Sequence, residues 1–360
     1  MARRSLTLPR LPSGLPGRST ALSGRSRSGG KRGGPSAPVT GVRIGATHVG
    51  VATANAGRGP LAPKASASAV LPPGAVRDGE VIDAAAVAQA LRDVLETRSG
   101  FAKQVRLGVG CQKVAVRVLD LPPVRNAEDV DAAVRLIARE RIPTAADDAL
   151  IDYRLLDEVP ADGDTPAHRR ALVVAARREL VAGQIAAVQA AGLEPVGVDL
   201  LAFGLARVVR PIEPTLLLDL DGITTLALAG PDGCRFVRTI PAGVQSASEE
   251  LARRLDLDPA DAAALLLGDR QPAEGERDAL TDVVARTLRA IATTVRTSVE
   301  FHVDQEDGET PESCVTSGPL AGMEGAAAVL GEALDLPVQS AAALAGGADP
   351  VALGLSVEES

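Results

Sequence analysis

The 360-residue sequence predicts a two-lobed α/β protein, and three observations carry this prediction. Two strand–turn–strand segments, at 42–52 and 216–228, each open a run of further strands and helices. The length suffices for two domains of ordinary size. An apolar fraction of 46% with 1% aromatic residues predicts a sizeable core built from Val, Leu, Ile and Ala.

The first half reads as alternating strands and helices. A helix is predicted to begin after Asp83, which has the residue type of an N-cap, and another is predicted to end at Gly192, a residue typical of the position after a helix. After the opening segment we predict helices from 83 and at 127–141, 178–191 and 201–209, and strands at 105–111, 113–121, 152–156, 171–175 and 196–200.

The second half repeats the opening and adds longer helices. Asp258 is predicted as an N-cap with Pro259 in the first helical position. After the strand–turn–strand segment we predict strands at 236–240 and 314–317, the latter running into Gly318, and helices at 246–255, 259–267, 276–303 and 326–334.

Residues 1–40 differ in composition from the rest of the chain. They hold eight basic and no acidic residues, and their Ser, Gly, Pro and Arg content predicts a disordered tail. Two interpretations stay open: a tail without function, or attraction to an anionic membrane surface or acidic partners. Since the whole chain carries −8, removing the tail's +8 leaves −16 for 41–360, which argues against a globular nucleic-acid-binding domain.

The cysteine and histidine residues are not spaced along the sequence as the ligands of a metal site would be. Cys111, Cys234 and Cys314 lie beside apolar stretches and are predicted to be small buried side chains in a reducing compartment. No apolar run approaches the roughly 18 residues of a membrane span. Arg3-Arg4 resembles a twin-arginine export signal, but no apolar region follows it.

Several segments, in their order and spacing, resemble the PilM family of type IV pilus assembly proteins, within the actin, sugar-kinase and Hsp70-like superfamily. The matching segments are 73–80, 138–143 with 152–153, 190–199 with 202–207, and 352–355. The resemblance implies an actin-like (ribonuclease H-like) fold with subdomains 1A, 1C, 2A and 2B. It also implies ATP in the central cleft, and a groove between 1A and 1C that binds the cytoplasmic tail of PilN, a single-span membrane protein.

The resemblance also implies domain bounds. We predict the tail at 1–40, the first lobe at 41–212 with 1C at about 113–176, the second lobe at 213–345 with 2B at about 246–295, and a C-terminal return to the first lobe at 346–360.

The first loop of the nucleotide pocket departs from the family pattern. The family reads Asp-Ile-Gly-Ser-Ser-Ser-Ile-Lys where this chain has residues 43–50. Gly45 and Thr47 fit the pattern, but Arg43 stands in place of the Asp and Gly50 in place of the Lys. A carboxylate that would serve Mg²⁺ is therefore replaced by a positive charge.

The three other regions that contact the nucleotide in the family are altered as well. In the second loop Asp219 and Thr225 match, while Asp221 replaces a Gly where phosphate would approach the backbone. Ala263 and Leu266 replace the Glu and Lys that contact ribose and base, and the family's Gly-Gly-Gly is reduced to Gly318.

These losses predict a degenerate pocket in a protein that is not an enzyme. Gly45, Thr47, Asp219, Thr225 and Gly318 form its remnant, and no cofactor is firmly predicted although ATP and Mg²⁺ are what the family implies. An alternative is that Arg43 grips a phosphate without metal.

The partner groove implied by the resemblance falls on the strand at 113–121, the helix at 127–141 and Tyr153. The residues predicted to form it are Val116, Val130, Val134, Arg135, Arg139 and Tyr153. The two arginines could meet an acidic or carbonyl-rich segment, while the valines could equally face the core of their own subdomain. Self-association and a pilus motor ATPase are further partners that the resemblance suggests.

The prediction from sequence is thus a cytoplasmic scaffold, attached to the membrane through partners, of a pilus or a related secretion or competence system. One rival is an active, polymerising ATPase of the cell-division type, although the acidic C-terminus lacks the amphipathic helix of that family. Another is a small-molecule kinase with Asp199 or Asp219 as the base, although an Asp that ends a strand is more often a cap.

Overall fold

A computed structural model describes residues 38–55, 59–124, 126–143, 148–161, 163, 166–304 and 308–358. The predicted tail lies almost entirely outside these residues. Two five-stranded sheets and a three-stranded sheet organise the described chain.

The first sheet has the order β10-β6-β1-β2-β3. Its strands are β1 (Thr40–Ile44), β2 (His48–Ala54), β3 (Pro63–Val70), β6 (Gln104–Val109) and β10 (Glu194–Leu200). β1 pairs with β6, and β6 with β10, in parallel, while β2 and β3 add antiparallel strands. We call this sheet, with the helices packed on it, the first lobe.

The second sheet repeats the arrangement with the order β13-β12-β11-β14-β15. Its strands are β11 (Thr215–Leu220), β12 (Thr224–Gly230), β13 (Gly233–Ile240), β14 (Ser313–Ser317) and β15 (Val338–Ser340). β11, β14 and β15 are parallel, and β12 and β13 are antiparallel. This sheet with its helices is the second lobe, so each strand–turn–strand segment does open one lobe.

A separate antiparallel sheet of order β7-β9-β8 follows β6 in the chain. Its strands are β7 (Val114–Leu121), β8 (Ala149–Val159) and β9 (His168–Arg177), and α2 (Ala127–Arg141) covers one face. We call this sheet with α2 the inserted unit. A short hairpin of β4 (Val76–Arg77) and β5 (Glu80–Val81) precedes the first helix.

The remaining α-helices complete the two lobes. They are α1 (Ala84–Thr97), α3 (Arg178–Ala190), α4 (Leu201–Val209), α5 (Val244–Leu255), α6 (Pro259–Leu267), α7 (Glu276–Val303), α8 (Ala326–Leu334), α9 (Ala341–Leu344) and α10 (Pro350–Leu355). The Asp83 carboxylate accepts bonds from the N–H groups of Ala85 and Ala86, which confirms it as an N-cap.

Two kinds of prediction needed correction. Asp258 occupies the N-cap position of α6, but its side chain makes no capping bond there. The strand β3 was not predicted, because its sequence PKASASAV is built mainly of Ala and Ser, which have low strand preference. The short elements β4, β5, β15, α9 and α10 were also missed.

Apolar packing around α4 joins the two lobes. One cluster combines first-lobe residues with Leu217, Ala227 and Val237 of the second sheet, and Phe203 and Leu205 of α4 lie within it. A second cluster fills the second lobe beneath α5, α6 and α7. All three cysteines are buried and free, as predicted.

The C-terminal helix α10 returns to the first lobe. Arg106 of β6 donates to the carbonyl groups of Leu355 and Val357 at 3.0 and 2.7 Å. Within the described residues, no helix combines the length and the apolar character needed to cross a membrane.

Candidate functional site

The turn after β1 and the turn after β11 meet between the two lobes. A Cβ atom at Gly45 would lie 2.3 Å from Oδ2 of Asp221, and one at Gly222 would lie 2.4 Å from Cβ of Ala46. Real side chains do not approach so closely, so both turns need glycine at these positions. The two turns are in direct contact.

Arg43 lies at the centre of this junction. The side chain is 1% exposed, and its Nη2 atom lies 2.9 Å from Oδ2 of Asp219 and 3.0 Å from Oδ2 of Asp221. Both carboxylates belong to the second lobe, whereas Arg43 lies in β1 of the first. A buried guanidinium thus crosses the cleft between the lobes.

A third carboxylate reaches Arg43 from the C-terminal segment. Nη1 of Arg43 lies 3.1 Å from Oδ2 of Asp349, and Nε2 of His48 lies 3.6 Å from the same oxygen. The other oxygen, Oδ1, accepts the N–H of Ala352 at 2.8 Å and caps α10. We call Arg43, Asp219, Asp221 and Asp349 the Arg43 cluster.

The backbone of the first turn also binds the cluster. The N–H of Ala46 points at the carboxylate of Asp221, with distances of 3.4 Å to Oδ1 and 3.3 Å to Oδ2. An N–H group in the first turn is therefore already bonded to an anion that the chain itself supplies.

Burial and charge shift the pKa values of the cluster in different directions. Burial raises the pKa of Asp219 to about 6, against the opposing effect of Arg43. Burial also acts to raise the pKa of Asp349, but the charges of Arg43 and His48 outweigh it and hold that pKa below its ordinary value. For Arg43, burial acts to lower the pKa, and the three carboxylates together raise it.

The other residues of the predicted nucleotide remnant are spread around this junction. The Thr47 hydroxyl lies 3.2 Å from Nδ1 of His48. Gly318 has φ +90° and packs against the backbone of Leu220. Thr225 pairs with Asp219 in the second sheet. The structure thus places Asp219 in the Arg43 cluster, Gly45 against its member Asp221, and Thr47, Gly318 and Thr225 beside the cluster.

Two of the positions where family polar groups are lost, Gly50 and Leu266, are closely packed. A Cβ atom at Gly50 would lie 2.9 Å from the carboxylate of Asp349, so a lysine there would have to displace that carboxylate. Leu266 is buried in the core of the second lobe.

The residues predicted for the partner groove do not form one surface. Val130, Val134 and Tyr153 belong to the core between α2 and its own sheet. Val116 packs with the core of the first lobe, from the opposite face of that sheet. Arg135 and Arg139 are exposed on α2, and Arg135 is paired with Asp131 at 2.8 Å.

Val116 and Thr225 line a common cavity where the inserted unit meets both lobes. The cavity is small, about 20 Å³, and Leu200 and Arg238 also line it. No residue of α2 is among those that line this cavity.

The two candidate bases of the kinase alternative are engaged in ion pairs. Asp219 belongs to the Arg43 cluster, and Oδ2 of Asp199 lies 2.5 Å from Nη2 of the buried Arg207. Among the described residues, no group of three or more His, Cys, Asp or Glu is arranged to hold a metal ion.

Asp349 is the member of the cluster that the sequence did not identify. It precedes Pro350 and caps α10, so its sequence context signals a helix start and nothing more. It lies 306 positions from Arg43 in the chain, and the fold alone brings the two together.

Comparison with solved structures gives the fold a context. The chain is similar to a structure of the PilM-PilN type IV pilus biogenesis complex, with 25% identity and a TM-score of 0.75, over 89% of this chain and 98% of that one. Ethanolamine utilization protein EutJ from Carboxydothermus hydrogenoformans matches with 16% identity and a TM-score of 0.54, over 90% of this chain and 91% of its own. MreB 5 of Spiroplasma citri bound to AMPPNP matches with 11% identity and a TM-score of 0.50, over 89% and 95%.

These neighbours confirm the predicted actin-like, two-lobed α/β fold. The sequence itself matches the family model for the type IV pilus assembly protein PilM over residues 41–346. This range holds both sheets and the inserted unit. The chain therefore belongs to the PilM family of type IV pilus assembly proteins.

Proposed function

We propose that this protein is a scaffold of a type IV pilus assembly, or of a related secretion or competence system, at the cytoplasmic face of the membrane. In this role it binds the cytoplasmic tail of a PilN-like single-span membrane protein. The observation that carries the proposal is the similarity to the PilM-PilN complex over 98% of that chain. Attachment to the membrane is then indirect, through the partner.

We further propose that the protein is not an ATPase. Mg²⁺ requires free oxygen ligands, and a bound phosphate requires free backbone N–H groups or a cation. In the Arg43 cluster, Oδ2 of all three carboxylates faces one guanidinium group at 2.9–3.1 Å. The residues present therefore do not fit a metal ion bound by these carboxylates.

The phosphate side of the pocket supports the same proposal. The carboxylate of Asp221 accepts the N–H of Ala46 and would repel a phosphate brought to this turn. Gly45 and Gly222 hold the two turns too close together for a ligand between them. The chain's own anion and cation thus take up the binding capacity that Mg-ATP would use.

For the partner we propose the exposed row of α2 as part of the docking face. Arg135, Leu136 and Arg139 follow one another at helical spacing and point to solvent, and Leu136 is 62% exposed. The row combines Arg139 and Arg135, the latter paired with Asp131, with an apolar side chain. It would suit an extended tail that carries acidic and apolar residues.

Binding of the partner tail tests the scaffold proposal. A synthetic peptide of the PilN-like tail should bind the full chain, and Arg139→Glu should weaken binding about tenfold, since a reversed charge at a rim contact costs roughly 1–2 kcal/mol. Arg289→Glu is the matched control, because Arg289 is exposed on α7 of the second lobe. If both variants bind as the wild type does, the α2 row is not the docking face; if the wild type does not bind, the scaffold proposal fails.

Calorimetry with Mg-ATP tests the second half of the proposal. We expect no binding below the high micromolar range and no hydrolysis above background. A one-to-one site in the low micromolar range would contradict the degenerate pocket and favour the alternative in which Arg43 grips phosphate.

A further inference from the structure

The Arg43 cluster adds a charged contact between two lobes that also meet through apolar packing. Most of that packing surrounds α4. On the cleft side Ile223 of the second lobe packs with Cys111 and Leu180 of the first. The polar contacts there are those of Arg43 with Asp219 and Asp221, of the Ala46 N–H with Asp221, and of Gln245 in α5 with the backbone of Val76 and Asp78. A change in the orientation of the lobes would break these contacts.

The contacts of Arg43 between the lobes are ion pairs, whereas those of Gln245 are neutral hydrogen bonds. Asp219, Asp221 and Asp349 direct three Oδ2 atoms toward one buried group, and they come from both lobes. Without Arg43, the three carboxylates would face one another across the cleft and repel. Gln245 makes neutral hydrogen bonds at 3.1 and 3.3 Å, and their loss leaves no buried charge.

We propose that the Arg43 guanidinium acts as a built-in cation that holds the two lobes in one fixed orientation. It does for these carboxylates what a bound divalent cation would do, with no ion to exchange. The inference rests on the proposed absence of nucleotide binding, and it adds that the lobe orientation is constant and that the carboxylates form a cation site once Arg43 is removed. Around the guanidinium the three carboxylates are not arranged to hold a metal ion. Once Arg43 is removed, their oxygens become free ligands of the kind that Ca²⁺ accepts.

The first test measures the distance between the lobes. Spin labels are placed on the full chain at Glu96→Cys in α1 and Glu332→Cys in α8, both exposed, while the native cysteines are buried. The wild type should give one narrow distance distribution, unchanged by Mg-ATP. Arg43→Ala should broaden it, and Gln245→Ala should leave it unchanged. A wild-type shift with Mg-ATP, an unchanged Arg43→Ala distribution, or equal broadening in Gln245→Ala would overturn the proposal.

The second test adds the ion. Ca²⁺ at 1 mM should raise the melting temperature of Arg43→Ala by ~5 °C, because it binds the folded state, and should leave the wild type within ~1 °C. The absence of a response in Arg43→Ala, or an equal response in the wild type, would contradict the built-in cation. If Arg43→Ala does not fold, Arg43→Lys replaces it in the distance measurement.

Lysine keeps the charge but reaches fewer of the three carboxylates, so Arg43→Lys should broaden the distance distribution without gaining a Ca²⁺ response. An Arg43→Lys distribution identical to that of the wild type would overturn the proposal. Calorimetry of the wild type with Mg-ATP separates the two inferences. Binding of Mg-ATP would refute the degenerate pocket, whereas an unchanged distance distribution in Arg43→Ala would refute only the built-in cation.

Discussion

At the scale of single residues, position 43 shows how one exchange of charge reorganises a site. An arginine stands where the family pattern has an aspartate, and the fold surrounds it with three carboxylates from two separate segments. Removing one member of a buried ion cluster leaves uncompensated charge, which commonly costs 3–5 kcal/mol. The cluster is therefore sensitive to each of its members.

Asp219 gives a prediction about pH. Burial raises its pKa from 3.8 to about 6, so the folded state holds this proton more tightly than the unfolded state. The stability that the proton contributes is present below about pH 4 and is lost as the pH rises through about 6. In Asp219→Asn this proton is absent, so the free energy of unfolding of the wild type relative to the variant should fall by roughly 2 kcal/mol between pH 4 and pH 7.5.

Urea unfolding of both proteins across this pH range measures the difference. Arg43, Asp221, Asp349 and His48 face Asp219 and are present in both proteins, so most of their own contribution cancels in the difference. A wild-type advantage that stays constant, or grows, as the pH rises would contradict this account.

The resemblance could identify Arg43 and Asp221 because each departs from a short loop pattern of the family. It could not identify Asp349, because an Asp before a Pro is typical of a helix start, a role that Asp349 also fills as the N-cap of α10. A contact between residues 306 positions apart depends on how α10 packs, and no local spacing encodes that.

At the scale of elements, α2 shows that the sequence can predict the bounds of a helix without predicting which of its sides is exposed. Its bounds, 127–141, follow from its apolar stripe and were predicted correctly. The side of α2 that would serve a partner did not follow, because an apolar stripe packs equally well on its own sheet or on a peptide. The structure buries Val134 completely against that sheet and leaves Leu136 exposed.

Two alanine substitutions in α2 test this placement. Val134→Ala removes buried methyl groups at 0% exposure and should lower the free energy of unfolding by about 2 kcal/mol. Leu136→Ala, at 62% exposure, should change it by less than about 0.5 kcal/mol. Chemical denaturation compares the two, and an equal loss in both variants would contradict the observed orientation of α2.

At the scale of the whole molecule, the two lobes were predictable because each begins with the same strand–turn–strand pattern and continues with strong helical periodicity. The small-residue strand β3 and the helices α9 and α10 lacked such signals. How the lobes face each other depends on contacts between distant segments, above all those of α4 and the Arg43 cluster.

The N-terminal segment provides a prediction at this scale. The sequence predicts that residues 1–40 contribute no core, because they are polar, basic and without periodicity. Removing residues 1–38 should therefore leave the free energy of unfolding unchanged within about 0.5 kcal/mol. A clear drop in melting temperature on truncation would show that the segment packs against the body.

The central claim is that this protein binds its membrane partner without the help of nucleotide. Calorimetric titration of the full chain with the PilN-like tail peptide, with and without 1 mM Mg-ATP, tests it most directly. We expect the two dissociation constants to agree within about twofold, because a ligand that does not bind cannot shift the affinity for another. A change of tenfold or more in the presence of Mg-ATP would show that the cleft still binds nucleotide and communicates with the partner site, and would contradict the account.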